Sequence, residues 1–320
     1  MPTLFVGIDV AQANLDACIQ PLGKTLRVDN APAGHRQIVQ TLLPLAAKPA
    51  DIRVGLESTG GLELPVALAL QEAGIEVAII KPERIRYYAK AAGQLAKTDA
   101  IDAAIIAQFV QAVPLTIQPL PPEEIRLFRD LLDRRNQLVE MRTMESNRRG
   151  STTEKRARKS IEKHIDWINK ELGQLEAELD ARIAANPQWK ELDRIIQSVP
   201  AFGPQVSRTF IGQLPELGHV DRKVIGQLVG VAPRPDDSGK SEGPRHIVGG
   251  RKQVRNVLYM AAVVAIRCNP IGKQLYIRLK AKGKSAKAAL IAVAHKLLTI
   301  VNALVMKNQT WRHSDVAIST

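Results

Sequence analysis

Apolar positions along the chain follow two rhythms. LFVGI (4–8) is a short apolar run with β-branched members, and LDACI (15–19) and TLRVD (25–29) follow it with turn residues between, Gly23 among them. Runs of this length bounded by turn formers read as strands, here a three-stranded antiparallel meander. HRQIVQTLLPLA (35–46) switches to helical spacing and IRVGLE (52–57) back to a strand. LELPVALALQEAG (62–74) predicts a helix closed by Gly74, and IEVAII (75–80) another strand. PERIRYYAKAAG (82–93) places Pro at a first helical turn and closes at Gly93. AKTDAIDAAIIAQF (96–109) then opens a further helix. Hairpin strands followed by alternating helix and strand predict a mixed α/β sheet with helices on its faces.

A Pro cluster at 114–122 marks a boundary. From Glu123 to about Ala185 the chain is charged, helix-prone and free of Pro. Ile161, Ile165, Ile168, Leu172, Leu175 and Leu179 recur at alternating four and three spacing, a heptad seam. NRRGST (147–152) interrupts it, which predicts two long helices in a hairpin or coiled coil. An intramolecular arm and a dimerisation element both fit, and dimerisation is the favoured expectation. From Trp189 the pattern is compact and mostly helical. IIQSVPAFGPQVSRTFIGQL (195–214) resembles a helix-hairpin-helix, whose turn amides can contact a DNA phosphate. APRPDDSGKSEGPRHIVGGR (232–251) is too long and polar for a simple connector and points to function. GKQLYIRLKAKGKSAKAA (272–289) has basic residues and no acidic ones, a phosphate-facing surface. Three parts are expected: 1–113, 114–188 and 189–320.

Charge narrows the function. The 320 residues are 45% hydrophobic and carry a formal net charge of +13, which favours a polyanionic partner, most often nucleic acid. A basic housekeeping protein with a solvated cationic surface is the plainer alternative. Cys18 and Cys268 stand far apart without CxxC spacing. That argues against a disulfide scaffold or cysteine zinc site and suits a reducing cytoplasm. No signal peptide is read at the N-terminus, where Asp9 interrupts the apolar run, and no uncharged apolar stretch reaches membrane-spanning length. The six histidines lack metal-ligand spacing, and no Walker-type loop is present, which argues against an NTPase.

Four carboxylates stand out against this basic background. Asp9 ends the first strand, Glu57 ends IRVGLE, and Asp99 and Asp102 lie at a helix start. Each alone has a modest explanation: a turn cap, a solvated strand end, a dipole partner. Side chains at i and i+3 share one helix face, about 5–6 Å apart at Cβ. A carboxylate cluster needs a neutralising charge, and hard cations such as Mg²⁺ prefer oxygen ligands. Two such ions about 3.5–4 Å apart stabilise the attacking and leaving oxygens of a phosphodiester displacement. Strand-end Asp, strand-end Glu and a helical Asp-x-x-Asp form the ribonuclease H-like (RuvC-like) layout.

GIDVAQANLDA, LESTGGLE, KPERIRYYAKAAGQLAKTDAIDA and LVGVAPRPDDSGKSEGPRHIVGGR together resemble the DEDD family of insertion-sequence transposases. That family includes bridge-RNA-guided recombinases and is related to Piv-type DNA invertases. The resemblance runs over nearly the whole chain, most specifically in Lys97-Thr98-Asp99-x-x-Asp102-Ala103 and Glu57-x-Thr59-Gly60. It implies a DEDD catalytic domain, a coiled-coil arm and a helical C-terminal transposase domain. It also implies acidic ligands for one or two Mg²⁺ at Asp9, Glu57, Asp99 and Asp102. A serine nucleophile is implied in DSGKSEG, placed at Ser238, with Ser241 as the alternative. A hydroxyl needs activation by a base or a metal. Lys240, Arg245 and Arg251 stand near enough in sequence to neutralise phosphate charge. The implied partners are donor and target DNA, a noncoding bridge RNA and further protomers, a dimer or a tetramer at synapsis. The expected setting is the cytoplasm, at the nucleoid when acting, with no membrane. A Piv-like invertase without guide RNA, a RuvC-like junction nuclease and an inactive nucleic-acid-binding protein are the competing readings.

Overall fold

The computed structural model describes residues 3–93, 99–115, 117, 120–233, 237–238, 241–242, 246–247 and 249–312. For residues 99–101, 237–238 and 241–242 it describes the backbone alone. The chain divides into two compact units, Met1–Pro121 and Pro122–Thr320.

In the first unit β1 (Leu4–Val10), β2 (Asn14–Gln20) and β3 (Lys24–Asp29) form the expected meander. β4 (Ile52–Glu57) pairs parallel with β1, and β5 (Glu76–Ile80) parallel with β4, giving the order β3-β2-β1-β4-β5. Helices α1 (Pro32–Leu42) and α2 (Leu64–Glu72) lie between strands in sequence, and α3 (Pro82–Ala91) and α4 (Asp99–Ala112) follow the last. Two-residue alternation sorts the strands into faces. Val6, Ile8, Leu15 and Leu56 bury against Ile38 of α1 and Leu70 of α2. The opposite face meets α4. There Gly7 of β1 and Gly55 of β4 are register partners. A Cβ on Gly7 would collide with the Ala103 carbonyl and the Ala107 amide, and one on Gly55 with the Val110 side chain. Glycine stands at both positions because a helix lies directly on the strands. This mixed sheet with helices on both faces is consistent with the ribonuclease H-like layout.

The second unit opens with α5 (Glu123–Ser151) and α6 (Lys155–Ala185). α5 runs unbroken through NRRGS, so the break falls a few residues later than expected, at 152–154. The two helices pair in opposite directions. Arg135 meets Glu176 at 2.6 Å, and Arg142 donates to Asn169 at 3.2 Å. Ile168 and Leu172 of the heptad seam bury against Leu138 of α5. The seam thus serves an intramolecular hairpin. At its base Phe128, Leu132, Leu179 and Ile183 cluster with Trp189 and Ile211, and Arg208 forks onto Asp180 at 2.9 and 2.7 Å. The helical hairpin is thus packed into the second unit at its base, while residues 114–121 of the expected arm fall within the first unit.

That unit continues with α7 (Pro187–Ser198), α8 (Pro204–Gln213), α9 (Arg222–Val229), α10 (Lys252–Cys268), α11 (Pro270–Ala281) and α12 (Ala286–Met306). The helix-hairpin-helix-like pair is α7 and α8. Residues 206–212 of α8 are all buried, and Asn269 donates to the Pro200 carbonyl in the turn, so the pair is a core element. α12 has 21 residues and a stretch of mean hydropathy 1.9, long and apolar enough to cross a membrane. It is not an uncharged stretch, since Lys287 and Lys296 lie within it. In the fold Val293, Leu297, Leu298 and Val301 are fully buried, and α12 is the central core helix.

Candidate active site

Sheet register assembles the first part of the site. Phe5, Gly7 and Asp9 alternate onto the α4 face of β1, as do Arg53, Gly55 and Glu57 on β4. The β1–β4 ladder ends at Ile8 with Leu56, so Asp9 and Glu57 are the next positions on adjacent parallel strands. Asp9 is opposite Asp16 of β2, and Asp16 is opposite Arg27 of β3, with which it pairs at 3.8 Å. Arg27, Asp16, Asp9 and Glu57 therefore form a charged row across four strands. Like charges directly opposite destabilise a sheet. Asp16 was absent from the sequence-based set, because only register places it beside Asp9.

α4, which carries the two remaining acids near its start, lies on this face. Its backbone rests on Gly7 at Ala103, the residue after Asp102, and its other half is held by α3. There Tyr88 meets Phe109 edge-on at 5.4 Å, and the Arg84 guanidinium lies 5.3 Å from the Phe109 ring centre. Asp102 is half-buried at the N-terminal end of α4. Asp99 begins the helix, and its side chain, with Lys97 and Thr98, lies outside the described residues. The donor set is carboxylate oxygen, the chemistry that suits a hard divalent cation. Among the described residues, no three Asp, Glu, His or Cys side chains converge into a metal-holding group.

Two buried polar groups fix the loops that follow the strand ends, and periodicity gave no sign of either. Glu63 is only 5% exposed, yet its Oε2 accepts from Thr59 N (3.1 Å), Thr59 Oγ1 (3.0 Å) and Gly61 N (2.9 Å). This carboxylate ties down the ESTGG turn behind Glu57, where Gly60 and Gly61 take positive φ of 78° and 111°. Asn30 bridges the two loops, donating to Ala11 O at 3.0 Å and Leu62 O at 3.5 Å. His35 lies 2.8 Å from the Asn30 Oδ1. Burial pushes the His35 pKa down. The neutral ring then donates from Nε2, because the Asn30 amide nitrogen is committed to carbonyls.

The polar segment of the second unit contains a two-stranded ladder, β6 (Asp237–Ser238) and β7 (Ser241–Glu242). Ser238 and Ser241, the two candidate nucleophiles, are register partners in it. Of the three cations expected to serve phosphate, Lys240 and Arg245 lie outside the described residues. Arg251 is committed elsewhere, forking onto Glu216 at 2.5 and 2.6 Å. Burial opposes the Glu216 charge, but Arg251 outweighs it and holds that carboxyl below its ordinary range.

Strand-end and helical carboxylates over a mixed sheet match the layout expected of a phosphodiester-processing domain. Comparison with known families makes this specific. A DEDD transposase model of the IS110 type matches residues 6–152, and a model described as transposase IS116/IS110/IS902 family matches residues 193–277. The chain belongs to this family of insertion-element transposases, enzymes that recombine DNA. It is 26% identical to the pilin gene-inverting proteins of Moraxella bovis and Moraxella lacunata, over 97% of this chain and 98% of each relative. It is also 27% identical to an uncharacterized 42 kDa protein of insertion element IS900 from Mycobacterium paratuberculosis, over 45% of this chain and 36% of that protein.

Proposed function

We propose that the chain exchanges DNA strands through a phosphoserine intermediate formed by Ser238, with Asp9, Glu57, Asp99 and Asp102 as the acidic half of the site. The supporting observation is the emergence of Asp9 and Glu57 side by side on the face that α4 covers. In the reaction the Ser238 hydroxyl loses its proton as Oγ attacks phosphorus. One P–O ester bond breaks, and the departing sugar oxygen takes up a proton. Attack by another sugar hydroxyl reverses these changes and regenerates serine, so no external energy source is needed. Asp9, Glu57, Asp99 and Asp102 would hold Mg²⁺, which supplies charge neutralisation at the phosphodiester when bound.

In this reading a noncoding bridge RNA of the element pairs with donor and target DNA, and several protomers hold the complex. The α5–α6 hairpin is the element proposed to join protomers, through surfaces other than its buried seam. The likeness to pilin gene-inverting proteins supports a second reading, site-specific inversion without a guide. Purification from cells expressing the whole element, followed by sequencing of bound RNA, separates the two. A discrete co-purifying RNA supports guidance, and its absence supports inversion. The nucleophile is tested by trapping protein–DNA adducts. Ser238→Ala abolishes them; persistence in Ser238→Ala with loss in Ser241→Ala moves the role to Ser241.

A further inference from the structure

From Gly243 to Ser314 the sequence contains no Asp or Glu, while fourteen Lys and Arg fall in the same stretch. α10, α11 and α12 are thus built without a single carboxylate. Folding concentrates part of this charge. A groove of about 490 Å³ is lined by Arg222, Lys223 and Gln227 of α9, Leu275 of α11, and His295 and Lys296 of α12. Burial pushes the Lys296 amine down, and the neighbouring cations Arg222 and Arg278 push it further. Among the described residues none of Arg222, Lys223, Arg278 and Lys296 has an acidic partner within ion-pair distance. Asp221 lies close enough to feel Arg222 and Lys223, but its Oδ1 accepts from the Lys223 and Val224 amides, capping α9. The His295 Nε2 is buried without a hydrogen-bond partner. Cations facing one another in a half-buried groove are costly unless an anion completes them.

The groove has a direction. His295 and Ala292 also line a second pocket, walled by Val231, Pro233, His246 and Ile247. Those four residues flank the segment that contains Ser238 and Ser241. We propose that these two adjoining pockets together seat the backbone of a DNA strand, with Arg222 and Lys296 on successive phosphates, and lead it to the serine segment. The assignment rests on the recombinase reading, since it is that reading which makes the strand DNA.

The test uses the full chain and a fluorescein-labelled 30-base-pair duplex of arbitrary sequence, with an RNA duplex of the same sequence as the second arm. Affinity is measured across a salt series. Arg222→Gln with Lys296→Gln lowers DNA affinity about tenfold at 0.15 M salt. It also reduces the slope of log affinity against log salt by about 1 to 2, the loss of two phosphate contacts. Each single variant gives part of the change. Lys307→Gln, removing an exposed cation beyond α12, changes neither quantity. Equal slopes for the double variant and wild type overturn the groove. So does an equal response to Lys307→Gln, which signals diffuse attraction, or a response confined to RNA. Failure of the wild-type protein to bind DNA at all overturns the recombinase reading beneath it.

Discussion

The two units hold their chemistry in opposite ways. Asp9 sits in a strand paired on both sides, with Asp16 opposite it and the end of β4 beside it. Among the described residues Ser238 sits in a ladder of two residues against two, paired on one side. A multi-strand sheet packed on both faces fixes Cα positions, whereas an isolated pair of short strands is marginal. Charge divides along the same line. Carboxylates gather on the α4 face of the first unit, and uncompensated cations gather in the helices of the second. In the proposed reading the contrast separates an acidic site on a packed sheet, which a cation would complete, from a basic surface, which phosphate would complete.

The largest expected effect removes the rigid site's charge. Asp9→Asn or Glu57→Gln lowers recombination of a plasmid reporter at least about a hundredfold, the scale of losing one group that stabilises a transition state. Melting temperature stays within a few degrees of wild type. Retained recombination would show that the acidic row is structural. Next, Gly7→Val forces a side chain into the backbone of α4. It costs upwards of about 3 kcal/mol by overpacking, read by urea denaturation, and activity falls with it. A stable, active Gly7→Val would show that α4 is free to move on the sheet.

Smaller changes sharpen the same contrast. Glu63→Gln replaces a triply accepting carboxylate with an amide, for about 1–3 kcal/mol. Recombination falls more than that stability loss explains at a temperature where the variant is fully folded, because the turn behind Glu57 loosens. Thr59→Val, which removes one of the three donors, has a lesser effect of the same kind. The smallest effect is on pH dependence. Burial makes the folded His35 harder to protonate than the unfolded one, with its ordinary value of about 6.5. The unfolded chain therefore binds the proton more readily, and stability falls as pH drops through that value. Thermal melts from pH 7.5 to 5.5 lose a few degrees, and His35→Gln removes part of the loss. His295, lowered by burial in the second unit, leaves the remainder.

Much of the first unit was legible because its strands are short, β-branched and bounded by turns. The faces of β1 and β4 then follow from alternation, so Asp9 and Glu57 are each legible as strand-end acids. Asp16 could not, since its place beside Asp9 depends on cross-strand register that the sequence leaves free. Glu63 resembles any helix-start acid until its burial and three donors are seen. In the second unit the heptad seam was readable, but a seam does not say whether its partner helix belongs to the same chain. α5 and α6 answered that through the pairing of Leu138 with Ile168 and Leu172. α12 carries two lysines, yet nine of its 21 residues are buried in the core.

The carboxylate-free stretch after Gly243 has a thermodynamic consequence. A fold with unbalanced charge of one sign is completed by its counter-charge, so its unfolding free energy is a function of polyanion concentration as well as of sequence. At free DNA one hundred times the dissociation constant, that linkage adds about 2.7 kcal/mol. Resistance to heat or proteolysis then reports whether the enzyme is loaded.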